Sequence, residues 1–206
     1  MSTKLSQLPN QYSSGMVSES FWFLEVKTFI KLMVEGCTLA EIRTEVVQRN
    51  LFGAPNETRA TRMYRYICKR VDVLDDEGRI LFLNSDVQTQ KLIVLVCAMA
   101  TNRLFFEFVN EVYREKIILG SDHLRPSDGA VFFKNKEVQS EKISNWKDDT
   151  KTRLMSAFLN FLAEAGLIVV SEGGNRIITP ILDDQFKNYL EKNGGKPYAN
   201  ALTGVL

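Results

Sequence analysis

The clearest fold signal lies in residues 149–180, DTKTRLMSAFLNFLAEAGLIVVSEGGNRIITP. The first half of this stretch repeats large apolar residues, such as Leu154 and Phe158, at the spacing of one helix face. Two short runs rich in Ile and Val follow, and Gly173-Gly174 separates them, which predicts a β-hairpin over residues 167–179. A helix followed directly by a small hairpin is the arrangement of a winged-helix module.

The rest of the chain predicts helices, because its apolar residues recur at helical spacing and the alternation typical of strands is missing. The predicted helices lie at about 19–35, 38–50, 58–74, 87–100, 103–118, 128–139 and 182–192. Residues 38–41, Thr-Leu-Ala-Glu, have the form of a capping box at the start of the second helix. From Gly194 on, no pattern predicts regular structure, and we expect a loose end.

A loop at 120–129, which contains glycine and proline, is the best boundary between two parts of the chain. We therefore predict a mainly α-helical fold of two lobes. Residues 1–119 are expected to form an N-terminal, helix-turn-helix-like lobe. Residues 127–206 are expected to form a C-terminal, winged-helix-like lobe with one small β-hairpin.

The composition excludes several classes of protein. The 26 Lys and Arg residues oppose 25 Asp and Glu residues, for a formal net charge of +1, so a nucleic-acid surface must be local. The cysteines, Cys37, Cys68 and Cys97, lie far apart, which predicts reduced thiols, a cytoplasmic location and no zinc framework. No apolar run is long enough to cross a membrane, and the amino terminus lacks the apolar segment of a secretory signal.

Catalytic chemistry has little support in the sequence. The only histidine, His123, directly follows Ser121 and Asp122, whereas the members of a catalytic triad converge from separate elements. One histidine and scattered cysteines supply no metal ligand set. The carboxylate pairs resemble residues at helix ends, and we expect Asp75-Asp76 to be a solvated turn after a helix. The chain is therefore predicted to be non-enzymatic and to need neither metal nor cofactor.

The predicted helix 58–74 separates an apolar side from a strongly cationic one. No acidic residue interrupts its basic run, whereas a solubilising helix face normally alternates the two signs of charge. Arginine suits phosphate oxygens and guanine edges better than lysine does. The helix also follows the turn at 51–56, where a helix-turn-helix fold places the helix that enters the major groove. The cationic residues are Arg59, Arg62, Arg65, Lys69 and Arg70.

Other basic residues are weaker candidates for contacting nucleic acid. Arg43 and Arg49 lie on the preceding helix. Lys151, Arg153 and Arg176 lie on the winged segment, where acidic neighbours dilute the positive charge. Double-stranded DNA is the predicted ligand, and RNA bound by the same face is an alternative. A protein with an acidic surface is a second alternative, and an enzyme is a distant third. Without a ligand, the same face would be a solvated cationic surface.

Short segments spread over most of the chain match the pattern of one known family. In the N-terminal part these are YSSG at 12–15, Glu19, GCTLAEI at 36–42, QRNLF at 48–52 and KRV at 69–71. In the C-terminal part they are Trp146, Thr150 and Leu154, and LAEAGL at 162–167. Together these helix-packing motifs resemble the BrxA family, a small component of BREX bacteriophage-exclusion systems.

The resemblance implies a DNA-binding accessory protein without enzymatic activity, which serves phage defence beside a methyltransferase and ATPases. Other BREX components are the implied partners. No contact with a membrane is expected. The family has also been likened to NusB-type RNA-binding antitermination factors, and this likeness keeps RNA open as a ligand.

Overall fold

The computed structural model describes residues 4–171 and 174–205, and most of these residues are helical. The first half begins with two short 3₁₀ turns, Lys4–Ser6 and Gly15–Ser18. Its helices are α1 (Phe23–Val34), α2 (Leu39–Arg43), α3 (Glu57–Val71), α4 (Asp76–Asn84), α5 (Val87–Thr101), α6 (Arg103–Phe108) and α7 (Arg114–Ile118). One π-helical turn, Thr44–Gln48, extends α2, and another, Val109–Tyr113, joins α6 to α7.

The second half combines a small sheet with further helices. Its elements are, in chain order, β1 (His123–Leu124), α8 (Pro126–Gln139), α9 (Glu141–Ser144), α10 (Asp148–Glu164), β2 (Ile168–Ser171), β3 (Gly174–Ile177), α11 (Asp184–Lys192) and α12 (Lys196–Thr203). The prediction of a mainly α-helical fold that contains a small hairpin is therefore confirmed.

Local capping explains where α2 and α3 begin. The Thr38 hydroxyl accepts a hydrogen bond from the Glu41 amide, and the Glu41 carboxylate accepts one from the Thr38 amide, as the predicted capping box requires. The Asn56 side chain caps α3 by accepting from the amide of Arg59. Each cap satisfies amides that the first helical turn leaves without a partner.

The sheet contains three strands in the order β1-β3-β2, so the hairpin gains a third strand. Strand β1 pairs antiparallel with β3 and places His123 opposite Arg176. This strand lies in the segment 120–129 that we expected to be a loop, and its two residues are too few to show alternation in the sequence. Residues 172 and 173, which belong to the predicted hairpin turn, lie outside the described residues.

Asp75-Asp76 does not form a solvated turn, so that prediction is wrong. The Asp75 carboxylate accepts from the Gly78 amide at 2.9 Å and caps α4. It also accepts from the Tyr189 hydroxyl at 3.0 Å, which connects α4 to α11. The helix is hard to see in the sequence because α4 follows α3 after only a short turn, and the acidic residues of its first turn read as the end of α3.

The chain after Gly194 is also helical and packed, so the expected loose end is wrong. In α12 the side chains of Tyr198 and Leu202 are buried. The Tyr198 ring meets the Phe106 ring edge-to-face, with the ring centroids 5.1 Å apart. In the sequence, the glycines at 194 and 195 and Pro197 indicate a loop. In the structure, Pro197 lies in the first turn of α12, where proline is tolerated.

One continuous core joins the two predicted lobes. Helix α5 runs through this core, and every side chain from Leu92 to Ala100 is buried. The Phe105 ring of α6 lies 5.1 Å from the Phe158 ring of α10, measured between centroids. The division into two lobes stays a prediction, and the packing continues across it.

Among the described residues, no single helix has the length and apolarity needed to cross a membrane. The helical segments 87–101 and 103–118 are long and apolar enough only when they are counted together, and a bend of 116° separates them.

An N-terminal arm (residues 10–22) runs between α3 and α10, and one buried arginine holds it there. Arg70 of α3 is only 1% exposed. Its guanidinium donates to the Glu19 carboxylate at 2.6 Å and to the carbonyl oxygens of Ser20 and Phe21 at 2.9 and 3.1 Å. The side chain therefore satisfies the arm's polar groups and anchors its C-terminal end.

A second buried cation stabilises the start of the arm. Lys136 of α8 is 2% exposed, and its ammonium donates to Glu107 and Glu111, both at 2.7 Å. Burial alone would lower the pKa of Lys136, but the two carboxylates outweigh it and raise that pKa. The Tyr12 hydroxyl of the arm donates to the same Glu107 carboxylate at 3.0 Å. The arm is thus tied to the body at both ends.

Replacing Arg70 by alanine is expected to destabilise the fold strongly, because Glu19 and two carbonyl groups lose their partner. Removing one member of a buried ion pair typically costs about 3–5 kcal/mol. Arg62→Ala, on the exposed side of the same helix, is the matched control and should change the free energy of unfolding by less than about 0.5 kcal/mol. Urea unfolding of both variants tests this expectation, and equal stabilities would contradict it.

Two tyrosines provide a second test of the packing. The Tyr113 hydroxyl donates to the carbonyl of Ile178 at 2.8 Å, whereas the buried Tyr198 hydroxyl has no hydrogen-bond partner in the described chain. Tyr113→Phe should therefore lower the free energy of unfolding by about 1 kcal/mol, and Tyr198→Phe should not lower it. Tyr198→Ala should cost about 3–5 kcal/mol, as expected for a packed aromatic ring rather than a loose end. Thermal or urea unfolding gives these values.

Candidate nucleic-acid interface

Helix α3 presents two exposed arginines, Arg62 and Arg65, on the side opposite its core contacts. Met63, Ile67 and Val71 are buried, as the apolar pattern predicts. Across the residues that the structure describes, Arg62 forms no ion pair and no hydrogen bond, so its charge is not neutralised by a neighbour. The pair is the most available positive charge on this helix.

An open groove of about 540 Å³ lies beside these arginines at the N-terminal half of α3. Its lining consists of Glu57, Thr58, Thr61, Arg62 and Arg65. Hydroxyl and guanidinium groups are common donors to phosphate oxygens. Four of the five lining residues therefore suit a contact with a phosphate backbone, and the fifth, Glu57, is a carboxylate.

An aromatic stack supports the arginine side chains from the arm. Trp22 has φ +52° and ψ +49°, a left-handed conformation that is unusual for a bulky residue. Its ring stacks on Tyr66 with centroids 6.3 Å apart. The Arg59 guanidinium lies 5.2 Å from the Trp22 centroid, and that of Arg65 lies 5.1 Å from the Tyr66 centroid. The stack restrains two of the predicted contact residues, and the sequence analysis missed Trp22.

Three predicted residues of α3 are already engaged by the protein. Arg59 is half-buried and donates to the Ser18 carbonyl at 3.3 Å. The Lys69 ammonium is exposed and donates to the Thr101 carbonyl at 3.1 Å. Arg70 is buried beneath the arm, so its prediction as a nucleic-acid contact is wrong. Arg70 lies at the margin of the cationic face, and this margin faces the arm and the Glu19 carboxylate.

The two predicted residues near α2 differ in their charge environment. Arg49 is exposed, and its guanidinium forms an ion pair with Glu45 one turn earlier, at 2.7 Å. Arg43 is exposed and forms no ion pair with any described residue. Tyr64 of α3 packs nearby and donates to the carbonyl of Leu39 at 3.0 Å. Of this pair, Arg43 carries the less compensated charge.

The winged segment contributes unequally as well. Lys151 contacts the carboxylates of Glu137 and Asp148, and its side chain is 13% exposed, so its charge is neutralised within the fold. Arg153 and Arg176 are exposed and form no ion pair in the described part of the chain. The acidic residues near the winged segment therefore neutralise Lys151, and they leave Arg153 and Arg176 unpaired within the described residues.

The arm lies between the two candidate surfaces. Arg59 of α3 reaches it at Ser18, and Arg153 of α10 lines a groove with Val17 and Glu19 on its other side. The structure thus brings the cationic helix and the winged segment to opposite edges of one arm. Their separation in sequence gives no sign of this proximity.

The segment with the only histidine does not have the geometry of a triad. The Asp122 carboxylate contacts the His123 imidazole at 2.6 Å, but the Ser121 hydroxyl donates to the His123 backbone carbonyl. Burial raises the pKa of the Cys97 thiol to about 12, so this thiol is protonated at neutral pH. No group of three or more His, Cys, Asp or Glu side chains suited to a metal ion occurs within residues 4–171 and 174–205.

Comparison with known proteins agrees with the resemblance seen in the sequence. The sequence pattern of the BrxA family matches residues 10–194. The BREX protein BrxA of Bacillus cereus (strain H3081.97) is 33% identical over 193 residues, which are 94% of this chain and 96% of the relative. A crystal structure of an uncharacterized protein from Magnetospirillum magneticum has a TM-score of 0.79 and 16% identity, and the match covers 94% of this chain and 99% of that one. That likeness concerns the fold alone, whereas the family pattern and the identity to the relative show that this chain belongs to the BrxA family.

Proposed function

We propose that this chain is a non-enzymatic, DNA-binding accessory protein of a BREX phage-defence system, and that it acts in the cytoplasm with other BREX components as partners. The observation that carries the DNA-binding part is the exposed pair Arg62 and Arg65, for which the described residues supply no neutralising carboxylate. Uncompensated arginines on one helix face are the feature expected of a phosphate-binding surface. Membership of the BrxA family supplies the link to phage defence.

The aromatic stack favours a duplex over a single strand. Proteins that bind single strands offer free aromatic faces on which bases stack. Here the Trp22 ring is covered by the guanidinium groups of Arg59 and Arg70 and by Tyr66, and Tyr66 is covered by Arg65. The rings already have stacking partners, so we assign them to support of the arginines.

The winged segment supports the same proposal. We take the element order β1, α8, α9, α10, β2, β3 and the sheet order β1-β3-β2 as support for a winged-helix arrangement, in which a hairpin follows a helical pair. Arg153 on α10 and Arg176 on β3 are exposed at this segment. They are the residues we expect to add phosphate contacts to those of α3.

Reversing the charges of Arg62 and Arg65 is expected to weaken DNA binding for every sequence alike. Each phosphate that the protein no longer neutralises should flatten the slope of log affinity against log salt by about 0.9, so Arg62→Glu/Arg65→Glu should flatten it by roughly two units. The measurement is a titration of a duplex at several salt concentrations. Folding should survive, because both side chains are exposed.

A matched control separates local contacts from the change in net charge. Lys187→Glu/Lys196→Glu alters the charge by the same amount on α11 and α12, where both lysines are exposed. This variant should keep most of the affinity and the salt slope. Equal losses in the two double variants would contradict the assignment to α3, and no DNA binding by the unmutated protein would contradict the proposal itself.

RNA is the second candidate ligand, because phosphate contacts alone do not distinguish the two nucleic acids. Competition between duplex DNA and structured RNA at one salt concentration decides between them. We expect DNA to displace RNA. Retention on heparin without binding to either nucleic acid would instead favour an acidic protein as the partner of the Arg62 and Arg65 surface.

A further inference from the structure

An open groove of about 500 Å³ lies between α8 and the helical segment 109–118. The residues that line its first wall follow the spacing of one helix face, from Val112 to Leu119. Those of the second wall do the same on α8, from Asp128 to Asn135. Two helix faces therefore frame the groove.

Ion pairs between the two walls hold the groove in shape. Lys116 pairs with Asp128 at 2.9 Å, and Glu111 pairs with Lys136 at 2.7 Å. Position 116 meets 128 and position 111 meets 136, so the two helices run antiparallel. Because the walls are fixed in the protein alone, a ligand would not have to pay for ordering them.

Apolar side chains are exposed inside this groove. Leu119 is 78% exposed and Val131 is 59% exposed, and they belong to opposite walls. The half-buried Val112 and the buried Phe132 add apolar surface between them. Single exposed apolar residues are ordinary on a protein surface, whereas a group of them in one groove indicates a site of interaction.

The shape of the groove fits a helix. Seven residues, from Val112 to Leu119, span about 10 Å at the helical rise, which is about two turns. An amphipathic helix repeats its apolar residues at i, i+3 or i+4, and i+7, and so covers the same length. Such a helix would lie along α8 and segment 109–118 as a third member of a helix bundle.

The charge of the groove indicates what the helix carries. The lining contains three carboxylates and one ammonium group. Lys116 neutralises Asp128 and Lys136 neutralises Glu111, whereas Glu115 is exposed and forms no ion pair with any described residue. The remaining negative charge repels phosphates, and it also repels a second copy of the same groove. A basic side chain next to apolar ones is the complement.

We infer that this groove binds an amphipathic helix of another protein of the BREX system, with apolar side chains against Leu119 and Val131 and a lysine or arginine beside Glu115. The inference rests on the proposed partnership with other BREX components and names the surface that serves it. It does not depend on DNA binding, because no residue of the groove belongs to α3.

The first test measures binding of the full chain to each separately purified protein of the same BREX system, one at a time. Leu119→Ser/Val131→Ser should weaken the complex with the binding component by about 100-fold, because each buried apolar side chain contributes roughly tenfold or more. Leu24→Ser/Val87→Ser makes the same changes at two residues exposed outside the groove and is the matched control, which should keep the affinity. DNA affinity should be unchanged in both variants.

The second test concerns the sign of the charge and the bound segment. Glu115→Lys should weaken the complex, and a stronger complex would show an acidic partner and overturn the inference. A photo-crosslinking amino acid in place of the exposed Asn135 should attach to the segment that occupies the groove. We expect the captured segment to carry apolar residues at helical spacing and a lysine or arginine, and a segment without them would contradict the inference.

The outcomes separate this inference from the proposed DNA binding. Failure of every component to bind the wild type, or an unchanged affinity in Leu119→Ser/Val131→Ser, overturns the role of the groove and leaves the DNA-binding proposal standing. A wild type that binds a component through the groove but binds no DNA gives the reverse result. A dimer of the wild type alone in sedimentation, which the groove variant abolishes, would assign the groove to a second copy and overturn the inference. Circular dichroism confirms that each variant is folded.

Discussion

The buried guanidinium of Arg70 fixes the relative positions of three parts of the molecule. It belongs to α3, it binds the Glu19 carboxylate and two carbonyls of the arm, and it lies 4.9 Å from the ring centroid of Phe161 in α10. Burial lowers the pKa of the guanidinium, and Glu19 opposes that effect. Arginine stays charged under such conditions, and an unpaired buried charge is very costly. The arm must therefore lie where its carboxylate meets Arg70.

This anchor also shapes the surface of α3. The residue after the arm's anchor point is Trp22, whose left-handed backbone persists only where surrounding contacts determine it. The indole then covers Arg59 and Tyr66, and the remaining arginines, Arg62 and Arg65, face outward. In the sequence, all the arginines of this helix look equally suited to bind a ligand. In the structure, Arg59 and Arg70 hold the arm, and Arg62 and Arg65 are left exposed.

Sequence reasoning succeeded where a signal is local and failed where it depends on a distant partner. The almost wholly apolar run of α5 and the capping box of Thr38 involve neighbouring residues, and the helix and the cap that they predict are both present. Strand β1 exists because His123 meets Arg176, and no two-residue pattern predicts that pairing. The burial of Arg70 requires Glu19, which lies 51 positions away. Within the candidate site, the amphipathic face was predictable, while the Trp22 stack required the folded arm.

The ion pairs within the fold, more than the composition, identify the basic residues whose charge remains available for a ligand. The 26 basic and 25 acidic residues nearly cancel, so the proposed DNA binding has to come from local groups and not from the charge of the whole protein. Lys136 and Lys151 lie against carboxylates and serve the fold. Arg62 and Arg153 have no such partner among the described residues, and they lie on different helices. The proposed function therefore depends on the arginines that the fold leaves unpaired and not on the net charge of the chain.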